Sequence, residues 1–226
     1  MSPKNIVATA AKKGIDILGI TDHNSTKHCK VVQKIAAEKG IFVLCGAEVT
    51  IKEEVHCITF FKDLKKLQLF QEYLDEKLPS IKNDPAQFGY QVVIDEEETI
   101  VEQIDPLLIS GINDSIEAVK EKTEALDGIF IPAHIDRPYN SLLSQLGFVS
   151  PTLGLKTMEI SKSTTEKDFR AMHPELEDYQ FISDSDSHYI DDIGKRTNTI
   201  HIASRSFDEI RMAIIREKGR FIRINQ

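Results

Sequence analysis

The sequence predicts an α/β fold, in which short strands and helices alternate around a mostly parallel sheet that is either a barrel or doubly wound. Its 226 residues are typical of one barrel-sized domain, and we expect a single domain over residues 1–226. Hydrophobic residues make up 41% and charged residues 28%, which excludes a disordered or fibrous protein. Short apolar runs and stretches with helical spacing alternate along most of the chain.

The charge and the cysteine pattern restrict the function and the location. The chain has 28 Lys and Arg against 36 Asp and Glu, a net charge of −8 that disfavours general binding to nucleic acid or anionic membranes. A local basic pocket could still hold a phosphate. Three cysteines without a Cys-x-x-Cys pattern predict no disulfide framework and indicate the reducing cytoplasm. We find neither an apolar run of membrane-spanning length nor a signal peptide pattern, so no membrane partner is expected.

The first third of the chain shows a regular alternation. Ser2 and Pro3 are typical of a helix start, and Gly14 is typical of a helix end. Apolar runs predict the strands that follow, and a spacing of three and four residues predicts the helices. In chain order, these elements are a strand at 15–20, a helix at 26–39, strands at 41–44 and 55–61, and a helix at 64–78.

The remainder is less regular. Residues 83–90 are predicted to form a loop, and Pro106 interrupts a helical pattern. Ser206 and Glu209 form a capping box before the last helix. The other predicted elements are strands at 91–94, 129–131, 155–160, 181–182, 199–203 and 221–224, and helices at 99–109, 114–126 and 141–147.

Polar side chains follow four of the apolar runs. The candidates are His23, Glu48, His134, and the pair Asp186 and His188. In parallel α/β folds the carboxyl ends of the strands form the active-site face. Nitrogen and oxygen donors from four strands are typical of a metal cluster there. Each residue has a structural alternative, as a helix cap, a surface carboxylate or a core histidine, but together these alternatives require four coincidences.

His56 is a sixth candidate. Strand alternation places it on one face with Ile58 and Phe60, and an imidazole there needs either a hydrogen-bond partner in the core or a metal. Cys57 points to the opposite face and is predicted to be a small core residue. The remaining histidines, which lack such a neighbour pattern, are expected to be structural: His28, His173 and His201.

In this order, these residues resemble the PHP (polymerase and histidinol phosphatase) superfamily. The resemblance runs from residue 20 to 188, which is most of the chain. It implies a distorted seven-stranded (β/α)7 barrel that hydrolyses a phosphoester with water activated by two or three divalent metals. The matching segments are Ile20-Thr21-Asp22-His23-Asn24-Ser25, Gly46-Ala47-Glu48, Val55-His56, Ile131-Pro132-Ala133-His134 and Ser185-Asp186-Ser187-His188.

The resemblance also implies a role for each ligand. Glu48 is similar to the family's bridging carboxylate and would complete one metal site with His56 and His134. His23 and His188 would share a second metal, and Asp186 would serve a third. Histidine and carboxylate ligands suit Zn, Mn or Fe better than Mg or Ca. Metal-activated water is then the nucleophile, so no serine or cysteine nucleophile is required.

Three basic residues are candidates for holding the phosphate. Arg137 is the first, because its planar guanidinium can bind two oxygens, and its alternative is a surface ion pair with Asp136. Lys162 and Arg196 are weaker candidates of the same type. Asp22 is expected to support the ligands from behind.

The chain departs from the family at its front. The family opens with a strand that carries His-x-His, whereas this sequence begins at Met1-Ser2-Pro3, already within the following helix. Three ligands and the first strand are therefore missing from the sequence as given. We expect fewer than three metals and an open edge beside residues 15–20, where a second copy could pair.

Three explanations of the missing front remain open. They are a start codon assigned too far downstream, a shortened product and a degenerate family member. The quality of the remaining ligands favours the first two. We expect in-frame upstream codons to encode a short apolar strand with His-x-His, and the chain as written to hydrolyse phosphoesters weakly or not at all.

The implied function is a metal-dependent phosphoesterase acting on a small phosphorylated metabolite or nucleotide. One alternative is a catalytically impaired PHP-like pseudoenzyme that binds metal or a phosphorylated ligand. A second is a nuclease or proofreading domain, because PHP domains also occur in DNA polymerases. The charge of −8 and the lack of a basic stripe with interleaved aromatic residues count against an extended nucleic-acid footprint.

Overall fold

The computed structural model describes residues 1–225, which form a mixed α/β fold. The helices are α1 (Pro3–Lys12), α2 (Cys29–Ala37), α3 (Leu64–Lys77), α4 (Pro85–Phe88), α5 (Ile116–Ala125), α6 (Leu142–Leu146), α7 (Glu166–Met172) and α8 (Phe207–Ile214). The strands are β1 (Ile17–Ile20), β2 (Phe42–Thr50), β3 (His56–Phe61), β4 (Val92–Ile94), β5 (Ile100–Gln103), β6 (Ile129–Pro132), β7 (Thr157–Glu159), β8 (Gln180–Ile182), β9 (Asn198–His201) and β10 (Phe221–Ile224). Among these residues, every helix is too short or too polar to span a membrane.

The sheets are less parallel than predicted. The largest has the order β1-β2-β3-β6, in which β1 and β2 are parallel while β3 is antiparallel to both of its neighbours. β7 and β8 form a parallel pair, and the pairs β9–β10 and β4–β5 are antiparallel. The prediction of a mostly parallel sheet is therefore wrong. The turn between β2 and β3 is too short for the crossover that a parallel pair needs.

The strands form an open arc. The Ile135 amide donates to the Glu159 carbonyl at 2.8 Å and joins the end of β6 to β7. The Ile222 amide donates to the Gln180 side chain at 2.8 Å and joins β10 to β8. Within residues 1–225 no ladder pairs β1 with β9, and a cavity of about 920 Å³ lies between them. β1 is an edge strand, as expected, and the described chain does not close the predicted seven-stranded barrel.

The hydrophobic core has two parts, one on each face of the main sheet. The outer part packs the sheet against helices and includes Cys57, Phe61 and Phe70. The inner part lies inside the arc and includes Ile58 and Phe60, together with residues of α8. The alternation predicted for β3 is confirmed. Burying a large apolar side chain contributes about 1.5–3 kcal/mol, so both parts hold the arc in shape.

Capping side chains define most helix starts. Ser2, Asp63, Ser115, Ser141, Thr165 and Ser206 each accept a hydrogen bond from an amide in the first turn of the following helix. Such a cap contributes about 1 kcal/mol, which explains why the predicted helices at 64–78 and 114–126 are confirmed with slightly shorter bounds. The sequence analysis missed α7, although Thr165 and its acidic first turn are a typical start signal.

The segment between α3 and α5 departs most from prediction. The helix predicted at 99–109 is wrong, because β4 and β5 form a hairpin there. The Asp95 carboxylate accepts the amides of Glu97 and Thr99 and fixes the turn, while Pro106 cannot donate the amide that a helix needs. The predicted loop at 83–90 contains the short helix α4, which Asp84 caps.

Candidate metal centre

Glu48 is at the centre of a buried side-chain cluster. It lies within β2 rather than after it, because the strand continues to Thr50. Thr50 pairs with His56, the first residue of β3, so Glu48 and His56 share one face of the sheet. β6 runs antiparallel to β3, which brings His134, two residues beyond β6, to the same edge. Glu48 Oε1 lies 2.9 Å from His56 Nδ1 and 3.1 Å from His134 Nε2.

His23 approaches the other oxygen of the same carboxylate. His23 Nδ1 lies 3.7 Å from Glu48 Oε2, and the rings of His23 and His56 are 5.3 Å apart between centroids. The loop that carries His23 is pinned to β2. The Asn24 amide donates to the Glu48 carbonyl at 2.9 Å, and Asn24 Oδ1 accepts the Thr50 amide at 3.2 Å. The sheet therefore fixes where His23 can point.

Two ring nitrogens of this cluster are not satisfied by the protein's own groups. His23 Nδ1 and His134 Nδ1 are buried and have no hydrogen-bond partner within the described chain. Buried polar atoms are normally bonded, so each of these needs an explanation. One donor atom from each of His23, Glu48 and His56 lies within 4.8 Å of the others. Imidazole and carboxylate donors at this spacing fit a divalent transition metal.

The electrostatics suit cation binding. Burial opposes the charge on Glu48, but the hydrogen bonds from His134 and His56 outweigh it and hold the pKa of Glu48 below its ordinary value. Burial lowers the pKa of His23, and the negative charge of Glu48 only partly offsets this effect. Glu48 is therefore ionised and His23 neutral at neutral pH. These are the protonation states in which carboxylates and imidazoles bind metals.

Asp186 and His188 lie at the outer side of this cluster. They follow β8 in a loop, and the ring of His188 is 6.0 Å from that of His23 between centroids. The His188 side chain is 59% exposed, and its Nδ1 lies 3.6 Å from Asp186 Oδ1. The other oxygen of Asp186 pairs with the guanidinium of Arg137. The structure thus brings this pair close to His23 but leaves it outside the group that converges on Glu48.

The basic candidates all have partners in the protein. Arg137 pairs with Asp186, and the predicted alternative pairing with Asp136 is wrong. Asp136 instead accepts the amide and the hydroxyl of Ser161, both at 2.6 Å. The two weaker candidates hold backbone carbonyls of nearby loops, since Lys162 donates to Ser185 and Arg196 donates to Thr164.

Asp22 contacts His28 from the loop that carries His23. Its carboxylate lies 3.0 Å from His28 Nδ1, and His28 Nε2 accepts the Ile94 amide at 3.3 Å. That acceptor role leaves the imidazole proton on Nδ1, from which it is donated to Asp22. His28, predicted to be structural, therefore anchors the segment next to His23 to β4.

The sequence analysis missed Glu159. It is the last residue of β7, it is 2% exposed, and its Oε2 accepts the His134 amide at 3.0 Å. Burial, with the charge of Asp184, raises the pKa of Glu159 well above its ordinary value. A carboxyl side chain near the end of an apolar strand is the signal that could have found it. Because the predicted strand runs to Ile160, the prediction places Glu159 inside the strand, whereas the strand ends at Glu159, at the same edge as the ligands.

The family model described as PHP domain matches residues 1–197. Among curated proteins, the uncharacterized protein YqxK of Bacillus subtilis is 26% identical over 243 aligned positions, which cover 97% of this chain and 56% of YqxK. The uncharacterized protein MJ1587 of Methanocaldococcus jannaschii is 35% identical over 65 residues, which cover 28% of this chain and 38% of MJ1587. The chain spans about half the length, or less, of these curated relatives.

Two solved structures share the fold. The lesion-specific endonuclease PfuEndoQ of Pyrococcus furiosus matches with a TM-score of 0.71 and 22% identity, over 97% of this chain and 52% of that chain. A proposed metal-dependent phosphoesterase of Bifidobacterium adolescentis matches with a TM-score of 0.54 and 18% identity, over 83% and 82% of the two chains. The family model covers most of the sequence, and this chain belongs to the PHP domain family.

Proposed function

We propose that this protein is a metal-dependent phosphoesterase that hydrolyses a small phosphorylated metabolite or a nucleotide. One observation carries the proposal. His23, His56 and His134 converge on the buried Glu48, while two of their ring nitrogens have no hydrogen-bond partner within the described chain. PHP family members are metal-dependent hydrolases, and this donor set suits that chemistry.

The proposed ligand groups divide around Glu48. His56 and His134 face one of its oxygens and would hold one ion with it. His23 faces the other oxygen and would hold a second ion with His188, while Asp186 would serve a third. The donor set favours Zn, Mn or Fe. When bound, such ions neutralise charge on the phosphoryl oxygens and lower the pKa of the attacking water.

The chain's own residues would orient the substrate. Arg137 lies beside the site and already binds the Asp186 carboxylate, so its guanidinium has a geometry that suits an oxyanion. A phosphate in that position would compete with Asp186 for the same donor. Glu48 is only 8% exposed, so the packed sheet shields one side of the site from bulk water.

Metal content and hydrolysis together test the proposal. The protein is purified without added metal and reconstituted in turn with Zn, Mn and Fe, and bound metal is measured by elemental analysis. Hydrolysis of an aryl phosphate and a nucleotide panel is then compared with that of Glu48→Gln, which we expect to be inactive. A protein that binds metal but hydrolyses none of these substrates would favour the pseudoenzyme alternative, and one that binds no metal would contradict both.

A nuclease is the second candidate. The likeness to PfuEndoQ over 97% of this chain supports it, and a related structure holds Endonuclease Q with a 27-mer duplex that has an abasic lesion at the active site. The net charge of −8 counts against an extended footprint. Incubation with labelled single-stranded DNA and with a duplex that contains an abasic site separates the two candidates. Metal-dependent cleavage of DNA without hydrolysis of the aryl phosphate would favour the nuclease.

We also propose a cytoplasmic location and a self-association surface. The three cysteines Cys29, Cys45 and Cys57 are buried and free. Free thiols are the state that cysteines keep in a reducing compartment. The exposed edge of β1 could pair with a second copy of the chain, because its outer backbone groups need partners. Light scattering over a range of protein concentrations would detect such a dimer, and a constant monomer mass would exclude it.

A further inference from the structure

The Glu159 side chain joins the two loops that follow β6 and β8. Its Oε2 accepts the amide of His134 at 3.0 Å, and its Oε1 accepts the amide of Asp184 at 3.4 Å. The main-chain carbonyl of the same residue accepts the amide of Ile135 at 2.8 Å. Three hydrogen bonds therefore connect the end of β7 to the loops that carry His134 on one side and Asp186 on the other.

Both loops contain backbone conformations that need outside support. His134 has a φ of +29° and Asp186 has a φ of +43°. Both values lie in the left-handed region, which residues other than glycine rarely adopt. Such backbone conformations are unfavourable and persist only where the surroundings hold them. Glu159 bonds the amide of the first directly. Its other oxygen accepts the amide of Asp184, two residues before Asp186.

The contacts of Glu159 separate it from the proposed ligands. Both of its side-chain oxygens are used by backbone amides, and no ion pair to Glu159 occurs within residues 1–225. It is 2% exposed, and a carboxyl group at such depth is costly unless it is hydrogen-bonded. A residue needed only for packing would be less costly as an apolar side chain. The buried carboxyl group therefore points to a task at the two loops.

We propose that Glu159 is a positioning residue for the metal centre. By holding the His134 amide, it sets the direction of the imidazole whose Nε2 lies 3.1 Å from Glu48 Oε1. By holding the Asp184 amide, it places the loop of Asp186 against the same site. One side chain thus couples the two halves of the centre. The inference rests on the proposed function, because the site must bind metal for this positioning to matter.

Glu159→Gln tests the proposal most directly. The amide keeps the size of the side chain but replaces one acceptor oxygen with an NH2 group, which cannot accept a backbone amide. We expect affinity for Co²⁺ to fall by about ten- to a hundredfold, the usual effect of losing a partner that orients a ligand. We also expect a changed visible spectrum of the bound Co²⁺. Glu159→Asp keeps the carboxyl group with a shorter reach and should give an intermediate affinity.

Gln180 provides a matched control on the neighbouring strand. It is buried like Glu159 and bonds Thr157, Ala213 and Ile222, but at the opposite end of the strands. Gln180→Ala should lower the melting temperature and leave the Co²⁺ affinity and spectrum unchanged.

The outcomes separate this inference from the proposed function. A wild-type protein that binds no Co²⁺ would contradict the metal site itself, and the positioning role with it. Wild-type affinity and spectrum in Glu159→Gln would overturn the positioning role alone, as would equal losses of affinity in Glu159→Gln and Gln180→Ala. If Glu159→Gln does not fold, Glu159→Asp decides, because unchanged binding there would also overturn the role.

Discussion

The two halves of the candidate centre differ in how far the protein alone organises them. Around Glu48, the rings of His56 and His134 lie within 3.1 Å of one carboxylate oxygen, and all three residues are buried. At the other half, Asp186 is paired with Arg137, and the His188 side chain is 59% exposed. The protein's own contacts arrange the first half, whereas the donors of the second half are engaged elsewhere or face solvent.

The physical reason lies in where the residues sit. Glu48 and His56 are on paired strands whose register fixes their separation, and β6 brings His134 beside them. Asp186 and His188 are on a loop beside the cavity that separates β1 from β9. The backbone hydrogen bonds between paired strands therefore fix the positions of these metal-donor side chains. A loop at an open edge needs a further element or a ligand.

Filling that cavity should change the metal centre more than any single substitution. We expect that an apolar strand with His-x-His, fused before Ser2, would pair with β1 and raise both metal content and phosphatase activity, because Met1 lies at the cavity. Elemental analysis and an aryl phosphate assay measure both effects. The matched control is the same strand with Ala-x-Ala. A fusion that gained neither metal nor activity would favour the pseudoenzyme alternative.

Glu48→Gln should produce the next largest effect. The change removes the charge that the rings of His56 and His134 face, so we expect the metal that these residues would hold with Glu48 to be lost while unfolding stays cooperative. Elemental analysis and thermal unfolding provide the two readouts. Unchanged metal content would mean that Glu48 is not a bridging carboxylate, since a neutral amide is a poor substitute for one.

A direct comparison of His134→Ala with His188→Ala sharpens the contrast between the halves. We expect the first to lower metal affinity severalfold more than the second, because His134 is 1% exposed and preorganised while the His188 side chain is largely exposed on a loop. Chelator competition with Zn²⁺ measures both affinities. Equal losses would show that the exposed half is as well organised in solution as the buried one.

Arg137→Met should have the smallest effect. A partly exposed ion pair contributes about 0.2–1 kcal/mol, so the fold should lose little stability. The freed Asp186 carboxylate should bind divalent ions slightly more tightly, while KM for an aryl phosphate should rise if the guanidinium holds phosphate. Unchanged KM and tighter metal binding would make Arg137 a partner of Asp186 alone.

Much of the fold follows from local signals in the sequence. The cap at Ser2 and the apolar spacing of α3 and α5 predict those helices, because capping and amphipathic spacing act over a few residues. The same spacing wrongly predicts a helix where β4 and β5 form a hairpin, because Ile100, Ile104 and Leu107 recur at helical intervals while the turn at Asp95 fixes the hairpin.

Residue types and their order along the chain identify which chemical groups the site contains. Apolar runs that carry or precede histidine and carboxylate side chains are enough to identify His23, Glu48, His56 and His134 as candidates, because residue type and strand alternation are local properties. Their convergence on one carboxylate is a property of the sheet.

Three features depend on long-range contacts: the antiparallel place of β3, the pairing of Arg137 with Asp186, and the contacts of Glu159. Each joins residues that lie on different segments of the chain. Residues 49 positions apart, such as Arg137 and Asp186, meet only once strand order and loop paths are set. Those depend on packing across the whole arc, which no local pattern of residues specifies.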